Sequence, residues 1–242
     1  ERASHMLPQF SKPRSFDLAQ ASDGMRQMLW GFFKKSVIAD GCSPIVNGIF
    51  EHPGWHGADT LLLGAVLFAF QIYGDFSGYT DIALGCARLF GFDLMRNFAY
   101  PYFSRDIAEF WRRWHISLSS WFRDYVYVPL GGSRGTNRRR AQGTAEEHAS
   151  LRDLPAILFT FACTTLAWVF FRADSIGDAF GYLRGMAARS LFGIPTELDP
   201  WLLGAIAALL VTEWLQRTRH HGLEVSALPA WARRSAYTAV FL

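Results

Sequence analysis

The sequence is short of cysteine, of charge and of charge imbalance. Its three cysteines, Cys42, Cys86 and Cys163, are scattered, and two lie in apolar segments. That argues against a disulfide framework or a thiolate zinc site, and no other metal centre is expected. Charged residues make up only 19% of the 242, and the net charge is +3. So small an excess does not suit a nucleic-acid binder. No internal repeat stands out. No cleavable signal peptide is visible. The chain opens at Glu1-Arg2 without a methionine and closes inside an apolar run, Tyr237 to Leu242, so both ends read as cut.

What the chain has instead is apolar length. Half of its residues are hydrophobic and 16% are aromatic. They come in blocks. Leu154 to Phe171 carries no charge at all, Trp201 to Thr212 runs on to Leu215, and Leu61 to Tyr73 continues, interrupted, to Phe92. A membrane span needs roughly 20 apolar residues. The first block qualifies alone and the other two with their flanks. The fold class predicted is all-α, a multi-pass integral membrane protein. A buried helix of a soluble core is the alternative for each block.

Arginines are unevenly placed. Residues 96–140 carry nine, including the run Arg138-Arg139-Arg140, and 217–234 carry Arg217, Arg219, Arg233 and Arg234. The segment 51–60 has acids but no Lys or Arg, and 172–200 is roughly balanced. Under the positive-inside rule, 96–152 and 217–235 face the cytoplasm. The arginine run then reads as a topology anchor.

Local pattern divides the rest. Residues 1–24, with Pro8 and Pro13, read as a loop. Residues 25–38 read as an interfacial helix, because Lys34-Lys35 sits poorly in hydrocarbon. Residues 61–92 read as a helical region broken near Gly74-Asp75-Phe76-Ser77-Gly78. From 105 to 125, Ile107, Phe110, Trp111, Trp114, Leu118, Trp121, Phe122 and Tyr125 recur at three- and four-residue steps. That periodicity predicts one amphipathic interfacial helix, with Ser104 as its N-cap and Asp106 in its first turn. It carries His115 on the flank of its apolar face.

His115 is the strongest candidate for chemistry. Imidazole titrates near neutrality and can take a proton from a hydroxyl. On spacing alone, a satisfied structural histidine stays open as the alternative. Asp75 and Asp81 lie inside an apolar segment and need partners there, such as Arg88, Arg96, Arg112 or Arg113. A calcium loop fails, because Phe76 is apolar and Cys86 stands where a bidentate glutamate is required. A broken helix lining a transport site and a purely structural polar network remain as alternatives. His52, His56, His148 and the pair His220-His221 are assigned no catalytic role, and His220-His221 reads as solvated. Gly204 and Ala208 form a small-residue pair suited to helix packing.

One long stretch resembles a known family. Phe70 to Asp81 (FQIYGDFSGYTD), Asn97 to Tyr102 (NFAYPY), Glu109 to Ser119 (EFWRRWHISLS) and Arg123 to Gly132 (RDYVYVPLGG) are similar to the membrane-bound O-acyltransferase superfamily. The match is closest to its bacterial alginate O-acetyltransferase branch, related to the D-alanyl transfer proteins. Weaker resemblance takes in 1–50 and 154–186. The resemblance implies a helical bundle around a tunnel in the bacterial inner membrane. Residues 1–190 would be a partial acyltransferase core and 191–242 truncated C-terminal membrane helices. It implies acetyl transfer from acetyl-CoA or another acyl thioester to an exported polysaccharide, beside partner proteins of an export complex. His115 would be catalytic. Asp75, Ser77, Tyr79, Asp81, Arg112, Arg113, Ser117 and Arg123 would support the site. A second family histidine, in an apolar Trp-His-Gly segment after Gly131-Gly132-Ser133-Arg134, has no counterpart downstream. Its absence raises a non-catalytic membrane scaffold as the second expectation.

Overall fold

A computed structural model describes residues 2–132, 149–188, 197, 199–224, 231, 233, 237 and 238. Among these residues every regular element is helical. Besides three short 3-10 turns, they are in chain order α1 (Ala3–Phe10), α2 (Leu18–Phe32), a π-helical segment (Phe33–Ala39), α3 (Asp40–Glu51), α4 (Ala58–Leu89), α5 (Ile107–Arg113), α6 (Ile116–Phe122), a second π-helical segment (Arg123–Tyr127), α7 (Leu154–Arg172), α8 (Ile176–Ala188) and α9 (Pro200–Leu215). The chain divides into two compact units, residues 1–30, 80–160 and 213–242 in the first, 31–79 and 161–212 in the second.

Among the described residues, two helical stretches are long and apolar enough to cross a membrane, Ala58–Leu89 and Leu151–Arg172. At 1.5 Å per residue, the 32 residues of α4 reach about 48 Å, well beyond a hydrocarbon core of about 30 Å. The shorter α9 is apolar too. The surface of α7 is inverted relative to a water-soluble helix. Phe159 and Phe171 are more than 70% exposed, while Thr160, Thr164 and Thr165 are buried. Apolar residues outward and small polar residues inward is what lipid as solvent favours.

The break expected in 61–92 is absent: α4 is continuous through Gly74 and Gly78. Those glycines serve close packing instead of a turn. In the second unit, a Cβ on Gly74 would stand 2.7 Å from the Lys34 carbonyl, and one on Gly78 would stand 2.7 Å from the Gly31 carbonyl. In the first unit, Gly85 and Gly24 abut in the same way. A glycine inside a helix costs about 1 kcal/mol relative to alanine, and backbone contact between helices offsets that cost.

Two further expectations change. Residues 1–24 are largely helical, in α1 and the start of α2, not a loop. Residues 25–38 belong to a longer rod, because its lysines have partners. Lys34 is buried with its ammonium 5.5 Å from the Tyr73 ring centre, and Lys35 pairs with Asp75.

The second unit has its own core of Ile49, Leu61, Ala65, Val169, Ala179 and Tyr182. Phe50 stacks on Tyr182 at 4.3 Å, and the Tyr182 hydroxyl donates to the Leu61 carbonyl at 2.7 Å. Gly64 leaves room for both Tyr182 and Ile49. Arg172, at the end of α7, donates to Asn47 at 2.8 Å.

Candidate functional site

The single helix expected over 105–125 is two short helices joined at Trp114-His115. Asp106, not Ser104, caps α5, accepting from the Glu109 N–H at 2.7 Å. The Ser104 hydroxyl turns back to the Pro101 carbonyl at 2.6 Å. After Arg113 the chain extends at Trp114, then turns left-handed at His115, with φ 44°. Such a backbone on a non-glycine residue costs on the order of 1–3 kcal/mol and persists only where the surroundings impose it. His115 therefore sits at the N-cap of α6, at a corner rather than on a helix face.

The corner is imposed by the segment 97–103. The Ala99 N–H donates to the Arg113 carbonyl at 3.0 Å, and the Ile116 N–H donates to the Asn97 carbonyl at 3.0 Å. The Ser117 N–H donates to Asn97 Oδ1 at 3.1 Å. Tyr100, with φ 52°, is the other left-handed non-glycine residue among the described residues, and it turns the chain into a short 3-10 turn at Pro101–Phe103. Arg96 lies 4.6 Å from its ring centre.

An aromatic wall backs the corner. Trp114 meets Phe98 edge-on at 5.0 Å and stacks on Phe110 at 5.5 Å, and Tyr102 stacks on Phe110 at 6.2 Å. The His115 ring lies parallel to Phe98 at 6.5 Å. Beneath the wall is a buried ion pair. Glu109 accepts from Arg113 Nη2 at 2.6 Å and from Arg105 Nε at 3.1 Å, and Arg113 Nη1 also donates to the Ala99 carbonyl. Burial alone would raise the pKa of Glu109, but the Arg105 N–H and the two guanidinium groups outweigh it and hold the carboxyl below its usual range.

His115 is half-buried, and burial pushes its imidazole below the ordinary histidine value. The lowered value favours the neutral, proton-accepting form of the ring near pH 7.

The other predicted site residues are dispersed by partner. Within the first unit, Arg113 is held by Glu109, Arg112 is exposed, and Ser117 donates its N–H to Asn97. Arg123 donates to Asp124 at 2.8 Å. That bond, with the nearby Arg2, pulls Asp124 down to about 2. Asp81 accepts from Gln27 at 2.9 Å. Arg88 goes to Asp23 at 2.7 Å, and Arg96 goes to the carbonyls of Phe98 and Arg219. In the second unit, Asp75 takes Lys35 rather than an arginine, Ser77 is buried, and Tyr79 is exposed. Of the arginines named as partners for Asp75, Arg88, Arg96 and Arg113 have acceptors of their own, and Asp75 is paired by Lys35 within its own unit.

Gly131 and Gly132 close the element. Gly131 has φ 98°, and a Cβ on Gly132 would collide with the Tyr127 ring. Arg134, the run Arg138-Arg139-Arg140 and His148 lie outside the described residues, as does most of the apolar run 237–242.

The histidine expected to be solvated is buried. His221 is 2% exposed, with Nε2 3.2 Å from Asp23 Oδ1, and its Nδ1 accepts the Leu223 N–H at 3.2 Å. Asp23 thereby joins His221 to Arg88. A histidine beside Arg217 and Arg219 gave no signal of burial, because its acidic partner lies some two hundred residues earlier in the chain.

Residues 58–145 match the membrane-bound O-acyltransferase family. The chain is 45% identical over 135 residues to the probable alginate O-acetylase AlgI of Azotobacter vinelandii, covering 56% of this chain and 27% of that protein. It is 30% identical over 223 residues to the peptidoglycan O-acetyltransferase of Helicobacter pylori, 76% of this chain and 42% of that protein. It is 47% identical over 85 residues to the teichoic acid D-alanyltransferase of Streptococcus thermophilus, 35% of this chain and 19% of that protein. The chain thus spans well under half the length of these curated relatives. The segment 97–117 that builds the His115 corner falls inside the region similar to the membrane-bound O-acyltransferase family.

Proposed function

We propose that the chain contributes the proton-accepting part of a membrane O-acyltransferase that acetylates hydroxyls of an exported, alginate-like polysaccharide. The observation that carries the reading is His115: half-buried and held at an imposed corner inside the matched region, where burial lowers the basicity of its ring. In the proposed step, its imidazole takes the proton of an acceptor hydroxyl as that oxygen attacks the thioester carbonyl of acetyl-CoA or a like donor. The C–O bond forms, the C–S bond breaks, and the proton passes to the departing thiolate. Three relatives named for alginate, peptidoglycan and teichoic acid support an acceptor among cell-surface polymers.

In this reading the chain is multi-pass in the bacterial inner membrane, with 96–152 and 217–235 cytoplasmic, where their arginines would also suit an anionic donor. Residues 1–190 supply the acyltransferase core, and 191–242 supply trailing helices. Partner proteins of polysaccharide export complete the system.

His115→Ala tests the reading. Acetylation of polysaccharide by membranes carrying the chain falls by 10²- to 10⁴-fold, about the worth of a general base, while the amount of protein in the membrane stays the same. Unchanged acetylation sinks the role of His115. The missing Trp-His-Gly counterpart favours a second reading, a scaffold without transferase activity. That reading predicts no acetyl transfer by the unsubstituted chain.

A further inference from the structure

We infer that Asn97 is a positioning residue for His115, taking over the helix cap that residue 115 does not supply. The inference rests on the reading of His115 as proton acceptor. His115 occupies the N-cap of α6, yet its side chain makes no capping bond. Histidine is not among the residues that cap well. The first two N–H groups of α6 instead go to a single residue of another segment. Asn97 receives the Ile116 N–H on its carbonyl at 3.0 Å and the Ser117 N–H on its side-chain Oδ1 at 3.1 Å.

The same segment grips the other side of the corner. Ala99 donates its N–H to the Arg113 carbonyl and accepts from the Arg113 guanidinium at 3.3 Å. Residues 97 and 99 therefore hold the backbone two residues before His115 and one and two residues after it. The left-handed turn at 115 is fixed from both flanks. Capping by Asn97 separates two jobs that one N-cap residue would otherwise share. The shape of the corner belongs to residue 97, and the chemistry belongs to residue 115. Of the two Asn97 contacts only the Oδ1 bond depends on side-chain identity, so the amide is where a substitution acts.

The test compares Asn97→Ala, Asn97→Asp and His115→Ala in the membrane-inserted chain. Two readouts are taken: acetyl transfer, and the rate at which diethyl pyrocarbonate labels His115, followed by mass spectrometry. Asn97→Ala lowers kcat about 10- to 100-fold with KM unchanged, the size of effect that misplacing a catalytic group brings. It also changes the His115 labelling rate at least about threefold, since the bond lost fixes the ring's setting. Asn97→Asp keeps an oxygen at Oδ1 and restores most of both. Should Asn97→Ala not fold, the labelling profile of Asn97→Asp against pH decides. The new carboxylate favours the imidazolium and moves the midpoint of His115 labelling upward, and an unmoved midpoint overturns the inference. If His115→Ala abolishes transfer while Asn97→Ala keeps the original kcat and labelling rate, Asn97 has no positioning role and the reading of His115 stands. If His115→Ala leaves transfer intact, that reading falls. The labelling result then still decides whether Asn97 sets the corner.

Discussion

Two histidines of the first unit have the same chemistry and opposite settings. His221 is sealed in, one ring nitrogen on Asp23 and the other taking a backbone N–H from Leu223. Because Nδ1 accepts, Nε2 carries the proton toward the carboxylate, and one neutral tautomer is fixed. His115 is half-buried, and the bonds that hold its corner fall on the flanking backbone, from Asn97 and Ala99. Burial lowers the basicity of both rings. A depressed histidine is therefore not in itself a sign of catalysis. The difference lies in how deeply the ring is buried and in whether the backbone around it is strained. By that standard His221 is a structural rivet, and His115 is the position to which the proposed chemistry is assigned.

The largest effect on stability is expected beneath His115, at Glu109. Glu109→Ala leaves the Arg113 guanidinium buried without its carboxylate, which costs about 3–5 kcal/mol. It is read as a fall in the thermal midpoint of the detergent-solubilised chain. A shift as small as that of an exposed substitution would show that the corner does not rest on this pair. His221→Ala comes next. It strips Asp23 of one partner, leaves the Leu223 N–H without an acceptor and opens a cavity, at about 2–4 kcal/mol in all. His115→Ala costs less than about 1 kcal/mol in the same measurement, because the cap of α6 is held elsewhere. Equal losses at the two histidines would erase the distinction drawn between them.

Much of this was legible in the sequence, and the failures share a cause. The apolar blocks gave the helices, and the three- and four-residue spacing gave the helical character of 107–122. The corner at His115 was not legible. Periodicity continues across it, and the bonds that Asn97 accepts and that Ala99 makes with Arg113 bend the chain there, from a segment distant in sequence. Gly74 and Gly78 looked like breakers because a glycine in a helix has no local rationale. The carbonyls of Lys34 and Gly31, on a neighbouring helix, supply one. His221 looked solvated because its surroundings in sequence are polar, and Lys34 looked interfacial because paired lysines sit poorly in hydrocarbon. Tyr73 and Asp23 lie far along the chain from them. In each case the local pattern was read correctly and a tertiary partner overrode it.

The smallest effect separates the two histidines by observable rather than by size. Burial lowers the value of His221, while Asp23 and Asp81 favour its charged form and Arg88 opposes it. The folded ring thus takes up a proton less readily than the unfolded chain, whose histidine titrates near 6.5. The unfolded state binds more protons just below that value, so stability rises with pH there and is lost as pH falls from neutrality through the unfolded value toward the folded one. His115, lowered in the same direction, adds a term of the same sign. In a thermal-midpoint series between pH 7.5 and 5.5, His221→Gln should remove part of the slope and leave the rest. Acetyl transfer should respond the other way round. Its acid limb reports loss of the neutral His115 base, set below the ordinary histidine value. That limb should be unmoved by His221→Gln once activity is normalised to folded protein. A limb that moves with His221 would mean that the sealed ring, and not the one at the corner, controls the proton transfer.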